Sequence, residues 1–224
     1  MKKTLVSVIL ASLAFISCHA AQIDTVQTYS QSMKKNINAV VITPDNYEKG
    51  KEFPVIYLLH GFGDNFSAWI TKAKGVDKLS DLYHVIIVCP DGGRSWYFDS
   101  PVNENIKYET YVSSELVKWV DQKYKTIKNR SGRGITGLSM GGHGALYLAF
   151  RHQDVYGVAG SMSGGVDIRP FTKNWDLSAD LGTYAEHPEN WEKNTVINLT
   201  DLLTPNGLAI SIDCGASDFF YNVN

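Results

Sequence analysis

The chain has 224 residues, 44% of them hydrophobic, with 21 Lys and Arg against 23 Asp and Glu. That composition fits one globular domain with a sizeable core and excludes a disordered chain. A net charge of -2 with no basic cluster leaves no electrostatic footprint for nucleic acid, and the acidic groups are too scattered for a polyacidic surface.

Residues 1–20 read as an export leader: Lys2 and Lys3, an apolar stretch from Leu5 to Ile16, then small residues at Cys18 and Ala20. The mature chain is expected to begin at Ala21, in a secreted or periplasmic setting. A lipoprotein lipidated at Cys18 ranks second, because Phe15 stands where such signals carry leucine. The apolar run is shorter than the roughly 20 residues that a spanning helix needs, and no later segment is long enough to span.

From Asp24 to Val41 the sequence is polar and partly alternating, which predicts one or two antiparallel edge strands. Unbroken apolar runs follow at "PVIYLL" (54–59), "HVIIVC" (84–89), "RGITGLS" (133–139), "GVAGSMS" (157–163) and "LAISIDC" (208–214), the pattern of strands covered on both faces. Between them, "YETYVSSELVKWVDQKY" (108–124) sets Val112, Leu116, Trp119, Val120 and Tyr124 near one helix face. Alternating strands and helices predict an α/β fold with a doubly wound, mostly parallel sheet and helices on both faces. Residues 165–205 lack clean periodicity and are expected to form an excursion that caps a pocket. Cys89 and Cys214 end apolar runs, so both are expected as buried core thiols, with no disulfide, metal or other cofactor.

Two stretches carry chemistry. "GLSMG" (137–141) lies between a strand and a helical pattern, the context of a nucleophile elbow that lifts the Ser139 hydroxyl above the sheet. The plainer reading is a glycine-rich turn in which Ser139 caps the helix. "LLHGFGDN" (58–65) ends a strand in glycines that let the backbone turn an N–H into the cleft. The N–H groups of Phe62 and Met140 would then form a two-donor oxyanion hole, each donor worth on the order of 3 kcal/mol.

Taken together, "GLSMGGHGAL", "LLHGFGDN", "PDGGRSWYFDSP" and the 108–124 helix resemble the esterase branch of the alpha/beta hydrolases. That branch includes formylglutathione hydrolases, tributyrin esterases, feruloyl esterases and mycolyltransferases. The resemblance implies Ser139 as nucleophile, Phe62 and Met140 as oxyanion donors, and Trp96 and Tyr97 along the substrate pocket. It also implies an acid in the loop after the strand 208–213, which matches Asp218, with Asp213 inside the strand the weaker candidate. A helix-capping role is the plainer account of Asp218.

The family's histidine follows the acid on a later loop, and this chain reaches only Asn224, so a C-terminally shortened domain is expected. None of the six histidines fits the base by position: His19 belongs to the leader, His60 to the oxyanion loop and His84 to a strand start. His143 and His152 sit on the helix after Ser139, and His187, in the excursion, would reverse the chain order. The expected function is a serine carboxylesterase acting on small-molecule or carbohydrate-linked acyl esters. The alternatives are a mycolyltransferase-like acyltransferase, or a non-catalytic carbohydrate-binding relative that uses Trp96, Tyr97, Trp175 and Trp191. Acyl specificity and oligomeric state are not legible.

Overall fold

A computed structural model describes residues 20–47 and 51–223, so the expected leader lies, except for Ala20, outside the described residues. The strands are β1 (Gln22–Ser30), β2 (Lys35–Thr43), β3 (Val55–Leu59), β4 (Ile86–Pro90), β5 (Arg133–Leu138), β6 (Val158–Met162) and β7 (Ala209–Asp213). They form one sheet in the order β1-β2-β4-β3-β5-β6-β7. β2 pairs antiparallel with both β1 and β4, and the pairings from β4 to β7 are parallel. The helices are α1 (Ala68–Lys72), α2 (Val76–Tyr83), α3 (Tyr108–Thr110), α4 (Leu116–Lys123), α5 (Met140–Arg151), α6 (Leu177–Leu181) and α7 (Pro188–Asn194).

The helices cover both faces of the sheet, as the sequence predicts. On one face Val55, Tyr57, Leu59, Ile86, Val88 and Ile135 pack with Ala145, Leu146 and Ala149 of α5 and with Leu116 and Val120 of α4. On the other, Val40, Ile42, Leu58, Ile87 and Cys89 meet Val76 of α2 and Trp69 and Ile70 of α1. The helix expected over 108–124 forms as α3, a π-helical turn (Tyr111–Glu115) and α4, with Val112, Leu116 and Val120 fully buried.

The expected antiparallel pair forms at one end of the sheet, with β1 at the edge and β2 between it and β4. Three expectations need correction. The run at 84–89 yields a strand starting only at Ile86, because His84 closes α2 in a left-handed conformation (φ 52°) and the Val85 N–H donates to Ser80 O. β7 is exposed at all five residues, since its apolar run meets a partner on one side only and α1 and α2 stop short of it. The face left open is a groove of about 410 Å³ lined by Leu58, Trp69, Leu79, Tyr83, Met162 and Ser211. For the same reason Cys214 is only half-buried, whereas Cys89 is buried and its thiol pushed up to about 12; both are free.

The excursion carries a 3-10 turn (Arg169–Phe171), α6, α7 and a 3-10 helix (Val196–Leu202). Its later part lies against α5, and its early part reaches the C-terminal ends of the strands through Trp175.

Candidate active site

The turn between β5 and α5 is built by close backbone packing. A Cβ on Gly137 would lie 2.6 Å from the Gly141 carbonyl oxygen, and one on Gly141 would lie 2.4 Å from the Leu59 carbonyl oxygen. Both positions therefore admit only glycine without moving the backbone. Between them Ser139 takes φ 56° and ψ -117°, a conformation that costs a non-glycine residue on the order of 1–3 kcal/mol. The turn is tied down where the Ser139 N–H donates to Met162 O at 2.9 Å and the His143 N–H donates to Ser139 O at 2.9 Å. The Ser139 side chain makes no helix-capping hydrogen bond, so the capping account of this serine fails. Its hydroxyl stands half-buried at the N-terminus of α5, where the first N–H groups lack intrahelical acceptors.

The glycine loop after β3 lies beside that hydroxyl. A Cβ on Gly61 would be 3.7 Å from the Ser139 Cβ. His60, 2% exposed, holds the loop: its Nδ1 lies 2.8 Å from Gly61 O, and its Nε2 lies 2.8 Å from the Gly92 N. The Gly92 N–H can only donate, so Nε2 accepts and the ring proton is on Nδ1, donated to Gly61 O. Tyr97 completes the brace by donating its hydroxyl to His60 O at 3.1 Å. The Phe62 N–H makes no hydrogen bond among the described residues. Its ring lies 4.4 Å under the guanidinium of Arg94, which also pairs with Asp176 at 3.2 Å.

Asp218 and Ser139 line one cavity of about 340 Å³, together with Leu138, Ser163, Trp175, Phe219 and Phe220. Asp218 Oδ1 accepts the Phe220 N–H at 2.8 Å, which orients the carboxylate in its turn. Asp213 lines the open groove on the opposite side and is not part of this cavity. Ser163 and Phe219 are not assigned to the site from sequence, and Trp175 is offered there only as a carbohydrate-binding aromatic. The pair of aromatics directly after Asp218 was the signal that could have flagged Phe219.

No histidine among the described residues lines this cavity. The bonds of His60 commit both its ring nitrogens to the loop. His143 is fully buried, stacked on Tyr147 with centroids 5.7 Å apart and edge-on to Trp96 and Phe98, and burial pushes its imidazole down to about 4. His152 caps α5 and meets Glu109 at 2.8 Å, His84 bonds Asn46, and His187 starts α7 beside Glu189.

The aromatic pair Trp96 and Tyr97 is 1% and 0% exposed, and both residues adopt positive φ. Trp96 donates its indole N–H to Trp175 O at 3.1 Å and packs on His143. These rings form the layer under the site. Trp191 is buried as well, so of the four aromatics offered for carbohydrate binding only Trp175 lines the cavity. Among the described residues no group of three or more His, Cys, Asp or Glu side chains is arranged to hold a metal, and no helix is long and apolar enough to cross a membrane.

Comparisons with known proteins agree with this architecture. A protein-family model described as "Putative esterase" matches residues 30–224. Esterase Rv1288 of Mycobacterium tuberculosis is 33% identical over 133 residues, which are 58% of this chain and 29% of that protein, so the match spans under a third of its length. Of solved structures, a ferulic acid esterase superposes with a TM-score of 0.74 at 28% identity, covering 91% of this chain and 82% of its own. The S-formylglutathione hydrolase of Staphylococcus aureus superposes with a TM-score of 0.77 at 20% identity, covering 91% and 83%. A mostly parallel sheet, a serine on a strained strand-to-helix turn and a family match over most of the chain lead to one conclusion: this protein belongs to that esterase family and has the alpha/beta-hydrolase fold.

Proposed function

We propose that the protein is a serine carboxylesterase that works through an acyl-enzyme on Ser139. The observation that carries this reading is the elbow: a hydroxyl that caps nothing, on a strained turn, beside a glycine loop where a Cβ added to Gly61 would come within 3.7 Å of the Ser139 Cβ. Ser139 Oγ attacks the ester carbonyl carbon, and the Phe62 and Met140 N–H groups receive the oxygen as it gains charge. A base, which imidazole can supply, takes the Ser139 proton and passes it to the alcohol as the C–O bond breaks; it then takes a proton from the water that attacks the acyl carbon and returns it to Ser139 Oγ as the acid leaves. Asp218 serves as the acid that orients a base.

Trp175 and Phe219, with rings 5.8 Å apart and edge-on, wall the cavity beside Ser139. Aromatic faces of this kind favour flat aromatic groups, so the substrate class we favour is an aromatic acyl ester, such as a hydroxycinnamoyl group on a sugar. The ferulic acid esterase among the structural neighbours supports the same reading. Tyr97 contributes by bracing the loop that holds Phe62, and Trp96 by holding Trp175 at the cavity wall. The charged start and apolar run of residues 1–20 support export to a periplasmic or extracellular setting.

Hydrolysis of nitrophenyl acetate and nitrophenyl ferulate, with and without added imidazole, tests the proposal. We expect saturable turnover that imidazole accelerates, that favours the ferulate, and that Ser139→Ala abolishes. Turnover that survives Ser139→Ala would refute the nucleophile, and preference for the acetate would refute the aromatic pocket.

A further inference from the structure

A cavity of about 820 Å³ opens at the far end of α5 from Ser139. Ser139 precedes α5 and Arg151 ends it, which separates them by about 18 Å along the helix axis. The volume falls in the range of small-molecule sites, about 300–1,000 Å³.

The charged groups of its lining are unequally engaged. Asp99 accepts from the Thr110 N–H at 2.9 Å and hydroxyl at 2.5 Å. Buried Glu109 accepts from Arg151 Nε at 2.8 Å and the Tyr147 hydroxyl at 2.9 Å, and lies 2.8 Å from His152 Nε2. Glu192 accepts from Arg169 at 2.9 Å and from Asn198 at 2.7 Å.

The cations differ. Arg151 is oriented by its Nε bond to Glu109 and by the Tyr147 ring, whose centroid lies 5.2 Å from the guanidinium carbon. Its outer Nη edge meets no acceptor among the described residues, and neither does exposed Lys193 on the rim. Asp201 is the one lining carboxylate without a protein donor among those residues. What the cavity has to offer is therefore an oriented guanidinium edge, an ammonium and one carboxylate.

We propose that this cavity is a second, non-catalytic binding site for a carboxylate-bearing sugar. The planar edge of Arg151 takes the carboxylate in two parallel hydrogen bonds, the geometry guanidinium groups favour. Lys193 adds a second positive charge, and Asp201 accepts from sugar hydroxyls. A ligand with both one negative charge and several O–H donors fits this set. A dianionic phosphate has a single O–H for Asp201 and, with two negative charges, is repelled by it more strongly than a monoanionic sugar acid. The proposal stands whether or not Ser139 is catalytic.

The test is calorimetric and NMR titration of the protein with glucuronate, glucose and inorganic phosphate. We expect saturable glucuronate binding that shifts the Arg151 Nε–H resonance and persists in Ser139→Ala. Binding should weaken at least tenfold in Arg151→Lys, which keeps the charge and loses the planar edge, and several-fold in Lys193→Gln. Lys193 is exposed and has no partner among the described residues, so its variant keeps the test open should Arg151→Lys fail to fold. No saturable glucuronate binding, or wild-type affinity in both variants, would overturn the site. Glucose or phosphate binding as tightly as glucuronate would overturn the acidic-sugar assignment.

Discussion

The two loops that meet at the candidate active site are built in opposite ways. The turn after β5 is dense: β5 is buried between β3 and β6, its glycines touch neighbouring backbone, and Ser139 is held in a strained conformation by hydrogen bonds on both sides. The loop after β7 is loose. β7 is exposed along its whole length, and a Cβ on Gly215 would meet nothing nearer than 3.8 Å. A nucleophile must be positioned to a fraction of an ångström, and rigid packing supplies that at Ser139. Asp218 needs only to face the same cavity, and its turn is held by short-range bonds within itself: the Asp218 N–H donates to Gly215 O, the Tyr221 N–H to Asp218 O and the Phe220 N–H to Asp218 Oδ1.

Substitutions can break or sharpen this contrast. The largest effect is expected at the nucleophile: Ser139→Ala should lower ester turnover at least about a thousandfold with the fold intact, measured by kinetics beside circular dichroism. Next come the paired glycine substitutions. Gly141→Ala should cost on the order of 3 kcal/mol or more, because its methyl would meet the Leu59 carbonyl at 2.4 Å, whereas Gly215→Ala should change stability by less than about 0.5 kcal/mol. Denaturant unfolding of both variants checks this, and equal losses would erase the contrast.

The far end of α5 gives a pH-dependent version. Burial raises the Glu109 carboxyl pKa, but His152, Arg151 and Tyr147 together bring it down from 4.5 to about 2. A carboxylate with a depressed folded-state pKa stabilises the fold fully above pH 4.5 and loses that contribution as pH falls toward 2. Relative to Glu109→Gln, the wild type should be more stable by on the order of 2 kcal/mol at neutral pH, and most of that difference should vanish near pH 2.5. Smallest in stability is Ile212→Lys on exposed β7, expected within about 0.5 kcal/mol of wild type. The same change should reduce self-association in sedimentation experiments, because charge on an exposed apolar edge opposes strand pairing between copies.

How legible these features were in the sequence follows the same division. β3, β4 and β5 were found from their apolar runs because burial on both faces enforces such runs, and the elbow was found because backbone contact demands glycine at 137 and 141. The apolar run of β7 looked the same in sequence, but exposure depends on what lies beside a strand, which a local pattern does not encode. Trp96 and Tyr97 were assigned to the pocket because they share a motif with it. Their burial arises from His143, Gly144 and Trp175, all distant in sequence. Trp175 stood out in sequence as an aromatic in the excursion, but without periodicity there nothing in the sequence placed it beside Ser139.

Whether Ser139 is a poised nucleophile is decided by fluorophosphonate labelling followed by peptide mass mapping. A poised Ser139 gives a single adduct at that residue, one that forms faster as imidazole is added and is absent from Ser139→Ala. An adduct on another residue, or none in the folded protein with imidazole present, would contradict it.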